Sequence, residues 1–359
     1  MKIIHVVTQM EAGGAQGAAI RNAQAMRRQG VDASVCFLYR KRGVYDNCSG
    51  VVSLLSRSPS GVLDYIKIFL RLFSYLRREK PNAIIAYTHY ANVIAGAIGR
   101  MALVPRIVVS HRNPVYSYPS LCRRVDKILG VLGFYHIGIC VSNTVLHSFD
   151  RYPARYKKRL VMIRNGVDVK AYAEPDPMPF KIEQSNRHKG KFKFITSGRL
   201  HPQKNQKVIF DAIADVDDAI LVVAGDGELR HEYECYIKLK GLEDRVKLIG
   251  EIPPSRINAF LHWGDAFLFP SRYEAFGFSV VEAMAAGKPV LCSDIPAMRE
   301  VVGDAGVLLP PDQPAEWTAA MKTLSIDTER SAALSDISRK RSQDFSIDKM
   351  VQGYIDAAS

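Results

Sequence analysis

The sequence predicts an α/β protein of two doubly wound domains, each a parallel sheet covered by helices on both faces. Three observations predict it. Short continuous apolar runs, rich in Val and Ile, alternate with helical stretches through both halves of the chain. The alternation breaks once, over 171–190, where AYAEPDPMPFKIEQSNRHKG has proline and charge but no periodicity and reads as a linker. The length, 359 residues, suits two domains at roughly 100–200 residues each.

In order, the first half offers IIHVVT (3–8), a Gly-rich turn, and a helix over 15–29. Strands ASVCFLY (33–39), VVSLL (51–55), AIIAYT (83–88), RIVVS (106–110) and HIGICVS (136–142) follow, with helical segments between, and VMIRNGVD (161–168) closes the half. After the linker come FKFITSG (192–198), AILVVAGDG (219–227), RVKLIG (245–250), AFLFPS (266–271) and PVLCSD (289–294). Ligands of such sheets sit at the carboxyl ends of the strands, where most of the motifs below fall.

Composition narrows the function. The hydrophobic fraction of 47% allows a full core in each domain. The six cysteines form no C-x-x-C pair and no zinc spacing, so they are expected as reduced, buried thiols. The opening MKIIHVVTQMEAGG reads as a strand, not a signal peptide, and no stretch reaches the roughly 18 uncharged apolar residues of a membrane span. The net charge of +13 is uneven: residues 1–170 carry an excess of +18 and residues 171–359 a deficit of −5. One half is therefore expected to face something anionic. No nucleic-acid motif accompanies the charge, so nucleic acid is not expected; an anionic membrane leaflet or a phosphorylated lipid fits.

The chemistry concentrates in four motifs. In SRYEAFGFSVVEAMAAGKPVLCSD (271–294), Glu274 lies in the loop after a strand and Glu282 on the helix that begins near Phe278. Phe276-Gly277-Phe278 brings a small residue to the helix start, where backbone N–H groups can approach an anion. The two carboxylates can accept hydrogen bonds from sugar hydroxyls on either side of a diphosphate, although Glu282 by itself reads equally as a capping residue. In SGRLHPQKNQ (197–206), Gly198 ends a strand and Arg199 and Lys204 follow, a fork of donors and a point charge suited to a diphosphate leaving group. AGDGELR (224–230) has only G-x-G, weak evidence for a dinucleotide and plausible as a tight turn. Leu248-Ile249-Gly250 is a strand end whose backbone can meet a nucleobase. Asp215-Val216-Asp217 fits D-x-D but lies in a turn between helix and strand, away from the carboxyl-end loops, and no metal site is expected.

These motifs resemble the donor half of glycosyltransferase family four, the retaining family with the GT-B fold: two Rossmann-like doubly wound domains facing across a cleft. E-A-F-G-F-S-V-V-E is similar to its E-x7-E signature. S-G-R-L with Lys204, A-G-D-G, the strand end at Gly250 and Asn165-Gly166-Val167-Asp168 match further segments. The resemblance is specific over about 160–310 and looser over 1–160. It implies an acceptor-binding domain at 1–170, a nucleotide-sugar domain at 191–340 and a C-terminal helix, 341–359, that packs back on the first domain. It also implies that Gly198, Arg199 and Lys204 hold the donor diphosphate. Glu274 would contact the transferred sugar and Glu282 the ribose. Phe276, Gly277 and Phe278 would line the sugar-phosphate pocket, and Ile249 would meet the base. Gly14, in Glu11-Ala12-Gly13-Gly14-Ala15, would touch donor phosphates, although glycines of a plain turn read the same way. His89 falls where the family places an active-site histidine, and His111-Arg112 in a segment expected to meet the acceptor. His136 reads as core.

The implied activity is retaining sugar transfer by front-face displacement. The donor is a nucleotide sugar, UDP-linked by family frequency, and the acceptor a lipid-linked saccharide of bacterial polysaccharide or lipopolysaccharide assembly. No cofactor or metal is expected. A sugar-nucleotide 2-epimerase and a non-catalytic polyanion-binding protein remain alternatives. VLDYIKIFLRLFSYLRREK (62–80) has a polar stripe of Asp64, Lys67, Arg71, Ser74 and Arg78 on an otherwise apolar helix, and SLCRRVDKILGVLGFYH (120–136) is similar. With the +18 half, these point to a cytoplasmic protein peripheral on the inner face of the cytoplasmic membrane, although burial between strands explains them as well.

Overall fold

A computed structural model of the chain describes residues 1–11, 14–178, 180, 190–274 and 276–359. They form two compact units, Met1–Gly166 with Ile347–Ser359, and Val167–Ser346.

Unit 1 is built on seven strands: β1 (Lys2–Met10), β2 (Asp32–Arg40), β3 (Val51–Ser53), β4 (Ala83–Ala86), β5 (Arg106–His111), β6 (Ile137–Cys140) and β7 (Leu160–Met162). The order is β3-β2-β1-β4-β5-β6-β7 and every pairing is parallel. Alternate residues of β1 serve opposite faces. Ile4 and Val6 join Ile68, Leu72, Leu76 and Ile98 from helices Val62–Glu79 and His89–Met101. Ile3 and Val7 join Ala19, Ala23 and Met26 of helix Gly14–Arg28, and Val351 and Tyr354 of helix Ile347–Ala358. Both faces of the strand are dry, which is why it reads as a continuous apolar run. Each buried Val or Ile contributes about 1.5–3 kcal/mol.

Unit 2 repeats the plan with β8 (Phe192–Ser197), β9 (Ala219–Ala224), β10 (Val246–Gly250), β11 (Ala266–Phe269), β12 (Val290–Ser293) and β13 (Val307–Leu309), in the order β10-β9-β8-β11-β12-β13. The strand order reverses at β1/β4 in unit 1 and at β8/β11 in unit 2. These are topological switch points, where the loops leaving two neighbouring strands part and open a crevice at their carboxyl ends.

Three expectations need correction. The stretch expected as a linker is, in its described part, laid on unit 2: helix Lys170–Ala173 packs on helix Phe278–Ala285, and Asn258 donates to the carbonyls of Ala171 (2.6 Å) and Glu174 (3.0 Å). Residues 179 and 181–189 of that stretch lie outside the described residues. The chain instead crosses between units at Gly166/Val167 and Ser346/Ile347, and Val167 N–H donates to the Phe345 carbonyl at 2.8 Å, so the two crossings run side by side. Of the free thiols, Cys36, Cys122, Cys140 and Cys292 are buried, but Cys48 is half-buried and Cys235 exposed. His136 is half-buried, its Nδ1 accepting from Ile107 N–H at 2.9 Å.

Candidate functional site

The loops that leave β8 and β11, on either side of the unit 2 switch point, are bonded to each other. Lys204 Nζ is ion-paired with Glu274 Oε1, both side chains largely buried, and lies 5.0 Å from the centre of the Phe269 ring. Gln203 Nε2 donates to the Tyr273 carbonyl (2.8 Å) and to Glu274 Oε1 (3.3 Å). Arg272 N–H donates to the Gln203 carbonyl (2.8 Å), and the buried Ser271 hydroxyl to Glu274 Oε1 (3.4 Å). Two sequence-predicted residues thus meet across the crevice. Gln203 and Ser271, which orient the carboxylate, were not singled out from sequence, although both lie inside the quoted motifs.

Glycines allow this loop to sit where it does. Gly198 (φ +157°) bonds back to β9 through the Ala224 carbonyl at 2.9 Å. A Cβ on Gly225 would lie 2.0 Å from the Gly198 carbonyl oxygen, and one on Gly227 2.4 Å from that of Leu200. The A-G-D-G segment therefore lets two strand-end loops press backbone to backbone. Arg199 pairs with Glu228: its Nη2 lies 3.3 Å from Glu228 Oε2, and the side chain is exposed.

Gly277 (φ +90°) caps helix Phe278–Ala285, leaving the first N–H groups of the helix without intrahelical partners. A side chain there would be strained and would meet Met298 Cε at 2.6 Å. Phe276 corrects an expectation. Its ring is buried against Phe278 (5.0 Å) and Phe345 (5.6 Å), so it anchors the loop rather than lining a pocket. Glu282 is half-buried in the second turn of the helix. Ile249 is the extra residue of a bulge: Leu248 pairs with Val223 and Gly250 with Ala224, and Ile249 has no partner in register.

In unit 1, His89 opens the helix after β4, beside the switch point, with Thr88 capping (Ala91 N–H to Oγ1, 3.4 Å). Its ring is half-buried, 5.2 Å from Tyr118 and 4.4 Å from Tyr90, and burial lowers its pKa below the ordinary 6.5. Gly14 begins helix Gly14–Arg28, and a Cβ there would meet nothing within 4 Å. The neighbouring Ala12 and Gly13 lie outside the described residues. His111 is not placed to meet a ligand. It is fully buried, Nδ1 is 3.1 Å from Tyr118 Oη and Nε2 3.1 Å from Tyr156 Oη, and burial pushes its pKa down to about 3. Tyr156 in turn donates to Asp126 Oδ2 (2.8 Å), a carboxyl that burial pushes up to about 7. Arg112 is half-buried, donating to Asn165 Oδ1 (2.5 Å) and lying over the Tyr87 ring (5.8 Å). It ties the end of β5 to the Asn165-Gly166 segment.

One member of the polar stripe of helix Val62–Glu79 is corrected: Lys67, Arg71, Ser74 and Arg78 are exposed, but Asp64 is not. Asp64 is buried, held by Arg57 (2.8 Å) and Ser60 N–H (2.9 Å), whereas Val62 (76% exposed), Leu63 (73%) and Leu70 (59%) face outward with Tyr65, Ile66 and Phe69. Leu121, Ile128 and Leu132 are likewise exposed on helix Ser120–Leu132. Both helices flank His89–Met101 on one side of the sheet. Among the described residues no helix is long and apolar enough to cross a membrane, and no three His, Cys, Asp or Glu converge to hold a metal. Asp215 and Asp217 lie at the amino end of β9, opposite the strand ends that carry Lys204.

Two family models match, "Glycosyltransferase Family 4" over residues 12–171 and "Glycosyl transferases group 1" over 178–341. The chain belongs to glycosyltransferase family four. An uncharacterized glycosyltransferase of Methanocaldococcus jannaschii is 27% identical over 291 residues, 77% of this chain and 75% of that protein. UDP-Gal:alpha-D-GlcNAc-diphosphoundecaprenol alpha-1,3-galactosyltransferase of Escherichia coli is 25% identical over 261 residues, 68% of this chain and 65% of that one. The crystal structure of Anabaena HepE in complex with UDP has a TM-score of 0.86 at 22% identity, covering 99% of each chain. The glycosyltransferase has the GT-B fold, and its group 1 segment contains the Lys204–Glu274 pair.

Proposed function

We propose that this glycosyltransferase is a retaining hexosyltransferase that takes a sugar from a UDP-sugar held by unit 2. The observation that carries the reading is the Lys204–Glu274–Gln203 cluster at the switch point of β8 and β11. It couples a cation suited to a diphosphate with a carboxylate suited to sugar hydroxyls. The HepE complex with UDP supports the choice of base. In this reading Lys204, Arg199 and the N–H groups after Gly277 hold the diphosphate. Glu274 orients the sugar, Glu282 the ribose, and the Ile249 bulge meets the base. Gly14 and His89 keep the roles that the family resemblance implies for them, toward the donor phosphates and the transferred sugar.

In the step itself, the bond from the anomeric carbon to the diphosphate oxygen breaks and the acceptor oxygen bonds to the same face of that carbon. The acceptor proton passes to the departing diphosphate oxygen. The protein supplies no nucleophile, and its cations take up the leaving group's charge in place of a metal.

The acceptor in this reading is a lipid-linked saccharide of bacterial polysaccharide assembly, lipopolysaccharide included, met at the inner face of the cytoplasmic membrane. The exposed apolar residues of Val62–Glu79 and Ser120–Leu132, set among Arg and Lys, support it, as does the name of the E. coli relative. The test is incubation with UDP-sugars and a polyprenyl diphosphate saccharide, with and without EDTA. A new α-linked glycoside formed equally in both supports the proposal. An epimerised donor, no product, an inverted linkage or loss on chelation overturns the corresponding part.

A further inference from the structure

Unit 1 contains a second concavity, of about 620 Å³, between the start of helix Ser120–Leu132 and the turn that follows residue 147. Arg123, Arg124, Lys127 and Arg151 all line it. None of these four makes an ion pair among the described residues. Lys127 Nζ lies 5.4 Å over the ring of Tyr152, whose hydroxyl donates to the Arg123 carbonyl at 3.5 Å and fixes the wall. The single carboxylate of the lining, Asp150, is 3.6 Å from His147 Nδ1. Arg40 and Arg299, by contrast, are exposed cations that do pair, with Asp46 and Asp294. Four unneutralised cations around one hollow repel each other and focus a positive field into it, an arrangement that a multiply charged anion relieves. Arg and Lys together favour phosphate, which takes the fork of one and the point charge of the other.

We propose that this cavity is a binding site for a phosphate-bearing ligand, separate from the donor site of unit 2. The same helix exposes Leu121, Ile128 and Leu132, so the phosphate comes either from an amphiphile's head group or from a soluble phosphate ester.

The test uses the full chain and hydrogen exchange of peptides covering 115–127 and 147–152, a readout confined to unit 1. Probes are inorganic pyrophosphate, glucose 1-phosphate, and vesicles of phosphatidylcholine and phosphatidylglycerol in roughly a four-to-one ratio. Protection of both peptides is expected. The triple change Arg123→Gln, Arg124→Gln, Lys127→Gln should weaken it by about tenfold or more, with Arg→Lys at 123 and 124 retaining most of it. Lys238→Gln with Lys340→Gln, exposed charges of unit 2, should leave it nearly unchanged. Protection by the soluble probes identifies a soluble ester, and protection by vesicles alone identifies a head group. No protection by any probe, or equal weakening by both sets of changes, overturns the site. UDP binding is followed in parallel, so failure of the donor reading is seen separately.

Discussion

Lys204 and Glu274 share a bond, yet the proposed roles separate them, and substitution should do the same. Glu274→Ala frees Lys204 for the diphosphate, so turnover should fall by about tenfold or more while UDP affinity holds or tightens. Calorimetry beside a transfer assay checks this, and parallel loss of both would place Glu274 on the nucleotide. Lys204→Ala and Arg199→Ala should each weaken UDP binding by about 1.5–3 kcal/mol, the more exposed Arg199 toward the lower end. A different titration belongs to unit 1. His5 and His111 are buried, each with its pKa pushed down to about 3, whereas burial raises Asp126 to about 7. Between about pH 4 and 6.5 the unfolded chain holds two histidine protons that the folded chain does not, and the folded chain holds one on Asp126 that the unfolded chain does not. Each proton is worth about 1.4 kcal/mol per pH unit, so the histidines cost stability as pH falls and Asp126 offsets part of that cost. Asp126→Asn removes the offset, and its unfolding free energy should drop more steeply from pH 6.5 to 4 than that of the parent. Equal slopes in denaturant titrations would contradict the burial argument. At this scale the sequence marked residues better than rotamers. Lys204 was legible as a cation in the loop after the strand-terminal Gly198, and Glu274 as a carboxylate in the loop between a strand and a helix, whereas a buried His111 and an anchoring Phe276 depend on packing that no local pattern encodes.

The elements were legible for a simple reason: a strand with two dry faces is apolar without interruption, and β1, β4, β5, β9, β11 and β12 have two. β13 (Val307–Leu309), an edge strand with two half-buried residues, was not singled out from sequence. Helix Val62–Glu79 departs from its pattern at one position. Of the polar stripe, Lys67, Arg71, Ser74 and Arg78 are exposed, but Asp64 is buried because Arg57 and Ser60, before the helix, satisfy its carboxylate. The exposed leucines and arginines together have a measurable consequence. The chain should float with anionic vesicles, less so at high salt, since basic residues contribute about 1 kcal/mol each near such a surface. Arg71, Arg77, Arg78, Arg123 and Arg124 changed to Gln should abolish the salt-sensitive part. Leu63→Ser with Leu70→Ser should lower the part that survives salt. If the parent stays in solution at low salt, the surface has another partner.

Across the whole molecule, the final helix links distant parts of the sequence. Val351 and Tyr354 are buried in unit 1, Tyr354 Oη meets Ser110 Oγ at 3.0 Å, and Arg106 Nε donates to the Ala357 carbonyl at 3.0 Å. Ile347, Met350, Val351 and Tyr354 each bury a large side chain, at about 1.5–3 kcal/mol apiece. Their sum rivals the stability of an entire domain. A chain ending at Ser346 should therefore lose the calorimetric transition of unit 1, and retention of two transitions would show that the helix is dispensable. The same feature sets a timetable. Domains generally fold as units in the order in which they leave the ribosome. Here the unit begun first is completed last, because its closing helix is made only after all of unit 2. Unit 2 is contiguous and can settle while unit 1 waits with part of one face of its sheet uncovered, beside helix Gly14–Arg28. During synthesis this enzyme thus carries an open apolar patch for as long as unit 2 takes to be made, the interval in which a chaperone would find it.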